Sequence, residues 1–186
     1  MTSAIVAVDI DGVVNALALD PADHEHFVRW DRRTVLGFRL TVAGEVVEWM
    51  RSLADRGGRF HWATTWTPNR HLLEEVFGLP GDAPIAADPD APIPPAPAGV
   101  TWKGAQIVDL VRRERSPLVW LDDDAITPTT AAHVDEVIRG LDLPGLALTT
   151  APLTGLTPDD LARIDDFLDA VQDGTAPVGL QRHPGD

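Results

Sequence analysis

Four short apolar runs constrain what this chain can fold into. They are Ala4–Ile10, interrupted only by Asp9, then Phe60–Thr64, Leu118–Leu121 and Leu146–Thr149. Each is too short for a buried helix, and the first is rich in β-branched residues, the signature of a strand covered on both faces. Between them lie segments of helical period. Val46, Val47, Met50, Leu53 and Ala54 recur helically from Gly44 to Arg56, and Gly57-Gly58 ends that helix. Asn69–Phe77 is a short helix stopped by Gly78 and Pro80, and Lys103–Arg113 carries apolar residues at 107, 108, 110 and 111. Ala131–Arg139 is a further helix. Thr157-Pro158-Asp159-Asp160 opens the last one, which runs to about Val171, with Thr as cap, Pro at the first helical position and Asp160 closing a capping box. Strands alternating with helices imply an α/β chain: a three-layer, Rossmann-like fold with a mostly parallel sheet.

The remaining segments carry weaker signals. Residues 14 to 40 are irregular, with a short hairpin expected near Val35–Val42. Residues 80 to 99 are proline-rich and read as a stiff connection with at most a short edge strand. Neither is a folded cap domain. Residues 1–172 are expected to form one domain, and the Gly/Pro-rich residues 173–186 a flexible tail.

Composition excludes several functions. The chain has no cysteine, so thiolate catalysis and Cys-ligated metal are ruled out. Its net charge of -14 opposes a nucleic-acid-binding surface, which gains affinity by neutralising phosphates with Lys and Arg. No stretch approaches the ~20 apolar residues that span a bilayer, and the start of the chain lacks a basic segment before its apolar run, so a cytoplasmic enzyme is expected. Of 15 basic residues only Lys103 is a lysine. In a chain that otherwise prefers Arg, a site needing a compact point charge rather than a planar fork would explain it.

Ligands of open parallel sheets bind outside the carboxyl ends of the strands. There the sequence puts Asp9 and Asp11, then Thr64 and Thr65, then Asp122, Asp123 and Asp124, with Lys103 at a helix start. Asp9-Ile10-Asp11-Gly12-Val13 after an apolar strand resembles the first motif of the haloacid dehalogenase-like superfamily. Thr64 resembles its second, Lys103 its third and Asp122-Asp123 its fourth, in order over residues 4 to about 124. The lack of a cap domain is similar to capless members, which accept large substrates or cover the site by forming homo-oligomers. The Trp-Ala-Thr-Thr-Trp run is similar to a subset linked to nucleic-acid end repair, which the acidic balance argues against.

The resemblance implies a Mg²⁺-dependent phosphohydrolase acting on a phosphorylated substrate through an aspartyl-phosphate on Asp9. Chemistry agrees, since a carboxylate can attack phosphorus and split one hard step into two. Asp11 would protonate the leaving oxygen and later activate water, which favours a phosphatase over a dehalogenase, because halide needs no proton. Asp9, the backbone carbonyl of Asp11, and Asp122 or Asp123 would hold Mg²⁺, which prefers oxygen donors. Thr64 would hydrogen-bond a phosphoryl oxygen, and Lys103 would neutralise phosphoryl and Asp9 charge. Gly12 would turn the backbone tightly and present N–H groups to phosphate, and Thr65 is a turn residue or a second N–H donor to phosphate. Trp66 and Trp102 are candidates for an aromatic wall against a base or sugar, or for core packing. Asp124 is expected to be a turn or cap residue, and His24 with His26 a solvated pair rather than a metal pair. The alternative is a signalling or non-catalytic phosphate/Mg²⁺-binding domain of receiver type, whose order of acids and lysine differs from the order here.

Overall fold

The structure, a computed structural model, describes residues 3–18 and 26–184. Six parallel strands form the central sheet: β1 (Ala4–Val8), β4 (Gly58–Ala63), β5 (Ile85–Ala87), β6 (Leu118–Asp122), β7 (Pro144–Thr149) and β8 (Gly179–Pro184). Their spatial order is β5-β4-β1-β6-β7-β8, with every neighbouring pair parallel. β1 is wholly buried because its alternate residues feed two cores. Val6 and Val8 face the layer of α1 (Gly44–Ser52), α2 (Arg70–Phe77) and α5 (Pro158–Gln172). Ile5 and Ala7 face that of α3 (Trp102–Glu114) and α4 (Pro128–Gly140). The α/β, three-layer, Rossmann-like reading is met. Among the described residues no helix is long and apolar enough to cross a membrane.

Outside this sheet, β2 (Trp30–Val35) and β3 (Phe38–Ala43) pair antiparallel as the expected hairpin. Leu36 and Gly37 both take positive φ, 51° and 85°, the pattern of a two-residue hairpin turn whose twist matches the strands. The proline-rich connection contains only the short edge strand β5. The capping box of α5 is formed as read, with the Thr157 hydroxyl accepting from the Asp160 N–H and the Asp160 carboxylate accepting from Thr157.

One expectation is corrected. The composition after Asp173 predicts a flexible tail, yet Gly179–Pro184 is an edge strand registered along β7 from Pro144↔Gly179 to Thr149↔Pro184. Leu180 supplies the burial, and its N–H donates to Asp135 Oδ1 at 2.7 Å. Long-range pairing outweighs a glycine-rich composition there.

The strand order reverses around β1. Chain segments after it fill the β4 side first, and β6 then returns to its other edge. Such a switch point opens a crevice at the carboxyl ends of the strands. Val8 is level with Trp62 on one side and Leu121 on the other, so Asp9 emerges between Ala63-Thr64 and Asp122.

Candidate active site

Asp9 leaves β1 with its N–H donating to the Leu121 carbonyl at 3.1 Å, which extends the sheet by one residue. Its side chain is 6% exposed. Asp9 Oδ1 accepts from the Ile10 N–H at 2.6 Å, and Oδ2 accepts from Lys103 Nζ. The same ammonium donates to Asp122 Oδ2 at 2.8 Å. Lys103 reaches both because α3 begins beside β6: the Thr101 hydroxyl caps the helix by accepting from the Gly104 N–H. Three positions remote in sequence, Asp9, Lys103 and Asp122, therefore meet at one rim. Asp122 is held further by the N–H groups of Asp124 and Ala125, which donate to Oδ1 at 3.1 and 2.7 Å.

The third carboxylate is Asp123. Oxygen atoms of Asp9, Asp122 and Asp123 lie within 4.8 Å of one another, and among the described residues they are the group of acids and histidines so placed. Gly12 makes room for it. A Cβ on Gly12, whose φ is 72°, would stand 2.4 Å from Asp123 Oδ2, so both conformation and space demand glycine. Asp124 points outward and is exposed, in keeping with a turn residue.

The electrostatics follow from one ammonium among three buried or half-buried acids. Burial pushes Asp9 up to about 6; Lys103 opposes that rise and Asp122 adds to it. Burial also raises Asp122, against Lys103 and its two backbone donors. Asp123 is raised by burial and by the negative charges of Asp124 and Asp122. For Lys103, burial works to lower the pKa, but Asp9 and Asp122 outweigh it and the ammonium is held charged. Carboxylates that resist ionising while clustered are short of positive charge. All-oxygen, carboxylate donors suit a hard divalent cation such as Mg²⁺, so the residues fit the ion.

Asp11 points elsewhere. Its Oδ1 accepts from Asn15 Nδ2 at 2.7 Å and its Oδ2 from the Trp66 indole N–H at 2.8 Å. Asn15 Oδ1 accepts in turn from the Thr41 N–H at 2.8 Å, which ties the loop after β1 to the hairpin. The Asp11 carboxylate is thus fixed outside the three-acid group; its expected ligand role falls to the backbone carbonyl, which these contacts leave untouched.

The other sequence-derived positions divide. Thr64 is wholly buried after β4, and its hydroxyl accepts from the Trp66 N–H at 3.3 Å, leaving its own proton to be donated. Thr65 is exposed beside it. Gly12 does not present its N–H to the crevice as expected: that group donates to the Asn15 carbonyl at 2.9 Å, and the Thr150 hydroxyl donates to the Gly12 carbonyl at 2.6 Å. The glycine's role is steric.

Trp66 and Trp102 do not form one wall. Trp66 belongs to the core that contains α1, α2 and α5, whereas Trp102 packs against the core on the opposite sheet face, its ring centroid 5.9 Å from Lys103 Nζ. Trp102 is packing plus a cation–π contact to the site lysine. His24 lies outside the described residues. His26 packs edge-on against Trp30, with centroids 5.4 Å apart, and is not part of the acidic group. Asn15 and Thr150 were missed by sequence reasoning: Asn15 works through Asp11 and Thr41, Thr150 through Gly12 at the other end of the chain, and neither leaves a periodic trace. No family model matches the chain, and neither curated proteins nor solved structures yield a match.

Proposed function

We propose that this protein is a Mg²⁺-dependent phosphohydrolase of haloacid dehalogenase-like type, with Asp9 as covalent nucleophile. The observation that carries the reading is the convergence of Asp9, Asp122 and Asp123 on Lys103 at the switch point of the sheet. Phosphoryl transfer is mostly positioning and charge neutralisation, and this geometry supports both.

Asp9 attacks phosphorus as the ester P–O bond breaks, giving an aspartyl-phosphate and an alkoxide that takes the proton of Asp11. Water then attacks the phosphorus, Asp11 accepts its proton, and the P–O bond to Asp9 breaks to restore the carboxylate. Lys103 holds the Asp9 carboxylate and offsets charge on the transferring group. Thr64 offers its hydroxyl to a phosphoryl oxygen. Asn15 and Trp66 hold Asp11 outside the three-acid group, one donor on each of its oxygens. Asp9, Asp122, Asp123 and the Asp11 carbonyl would hold Mg²⁺, which would supply positive charge to the clustered carboxylates and the phosphoryl group.

The decisive test is turnover. With Mg²⁺ the purified protein is expected to release many equivalents of product from p-nitrophenyl phosphate, to stop on EDTA treatment and to recover on Mg²⁺ addition. A receiver-type domain would instead retain a single phosphate, and metal-independent release would sink the reading.

The acidic site also sets a pH dependence. A ligand must lose its proton to bind metal, and Asp9 holds its proton up to about 6. Mg²⁺ affinity is therefore expected to weaken roughly tenfold for each pH unit below that point, with proton release on binding. Calorimetry in buffers of different ionisation enthalpy measures both, and flat affinity across this range would exclude Asp9 as a ligand.

A further inference from the structure

Beside Asp11 lies a second feature that the three-acid group does not use. A cavity of about 230 Å³ is lined by Asp11, Leu36, Phe38, Thr65, Trp66 and Asn69. Its walls come from three places: Asp11 in the loop after β1, the segment after β4, and the tip of the β2–β3 hairpin. Leu36 and Phe38 are 58% and 63% exposed, although both are large and apolar. Leu36 also takes a left-handed φ of 51°, at a turn position that Asn or Asp fills at less cost. The hairpin turn accounts for that φ, but not for a large apolar side chain exposed there at a cavity mouth.

Phe38 and Trp66 meet nearly at right angles, with ring centroids 5.7 Å apart and planes at 76°. A third ring entering such a corner can stack on one and meet the other edge-on, both favoured geometries. No cationic side chain is among the lining residues, and the Asp11 carboxylate repels anions. The volume lies below the roughly 300–1,000 Å³ of sites for drug-sized ligands, so one ring system fills it.

We infer that this cavity takes a neutral, planar aromatic ring carried by the leaving group of the substrate, with Phe38, Leu36 and Trp66 as its specificity-determining walls. The inference rests on the phosphohydrolase reading, because it places the departing oxygen beside Asp11, which the reading makes the proton donor. Trp66 then has two tasks. Its N–H orients Asp11 and its ring meets the leaving group, so the acid is aimed where the ring docks.

Two experiments separate this inference from the reading beneath it. In the first, benzyl alcohol and glycerol are titrated into isotope-labelled protein, and the Trp66 indole N–H signal is followed, assigned with Trp66→Phe. Benzyl alcohol is expected to shift that signal saturably and glycerol to leave it in place, and Phe38→Ala weakens the benzyl alcohol affinity roughly three- to tenfold. An unmoved indole signal, or equal affinity in Phe38→Ala, overturns the inference. Phe38 is exposed, so its truncation does not endanger the fold.

The second compares kcat/KM for benzyl phosphate and glycerol phosphate with Mg²⁺, two esters whose alcohols leave with similar difficulty. The benzyl ester is expected to be preferred at least about tenfold, and Phe38→Ala to erode that ratio. If benzyl alcohol binds at Trp66 but neither ester turns over, the aromatic pocket stands and the phosphohydrolase reading falls. If both esters turn over equally and benzyl alcohol does not bind, the reverse holds.

Discussion

Lys103→Met lowers the unfolding free energy by about 3–5 kcal/mol near neutral pH, the cost of stranding a buried charge whose partner is removed. For a chain of this length that is a drop of about 10 °C in Tm. Methionine nearly matches the lysine stem in volume, so the loss is one of charge and not of packing. Lys103 is 5% exposed and donates to both Asp9 and Asp122, which are themselves buried. Without the ammonium, two carboxylates face one another with only backbone donors to hold them.

That cause has a pH signature. In the native protein Asp9 is already raised to about 6 by burial, so its contribution to stability is full below the ordinary value of 3.8 and is lost as pH rises through about 6. Removing Lys103 takes away what opposes the rise, for Asp122 as for Asp9. Folding then takes up more protons, and the substitution costs most at high pH and least in acid. Urea denaturation of both proteins at about pH 5 and about pH 8 reads this directly, because carboxylates elsewhere cancel in the difference. An equal loss at both values would mean a packing defect, and the shared-ammonium picture would be wrong.

How far the sequence carried this picture depends on what kind of signal each part leaves. β1 and β6 are legible because burial on both sheet faces forces continuous apolar runs, and α5 because its cap is local chemistry at fixed spacing. Asp9, Thr64 and Asp122-Asp123 could be placed because strand ends lie together in any parallel sheet, and Lys103 because the start of its helix lies at the same rim. The lone lysine was informative for the same reason that Lys103→Met is costly: a point charge between two carboxylates is a task for ammonium, not for a planar fork. β8 was not legible, since one buried leucine in a glycine-rich segment has no period, and its pairing with β7 supplies what composition lacks. Nor were the partners of Asp11. Trp66 is fifty-five residues away, and Asn15, though only four away, is held in turn by Thr41 of the hairpin, which no local pattern announces.

On the proposed reading, Asp9→Asn is expected to cut phosphatase turnover by about 10⁴-fold or more, since losing a covalent nucleophile would remove the pathway rather than one of its supports. Its effect on folding is the informative contrast. Asparagine has the same shape but only one acceptor oxygen, whereas Asp9 uses both, toward the Ile10 N–H and toward Lys103. One of these contacts is lost, at a cost of about 1–3 kcal/mol. Against that, a buried carboxylate held up to about 6, some two units above its ordinary 3.8, is relieved of its charge. Above that pH the relief is worth about 3 kcal/mol. The two nearly cancel, so stability at about pH 8 changes little, in contrast to the Lys103→Met loss. At about pH 4.5 folded Asp9 already carries its proton, and the relief shrinks to about 1 kcal/mol. The same substitution then becomes net destabilising. Thermal unfolding at the two pH values, beside a phosphate-release assay, checks both halves. Retained turnover would remove Asp9 as nucleophile. A stability loss independent of pH would mean that the Asp9 carboxylate is not the group that the site holds short of positive charge.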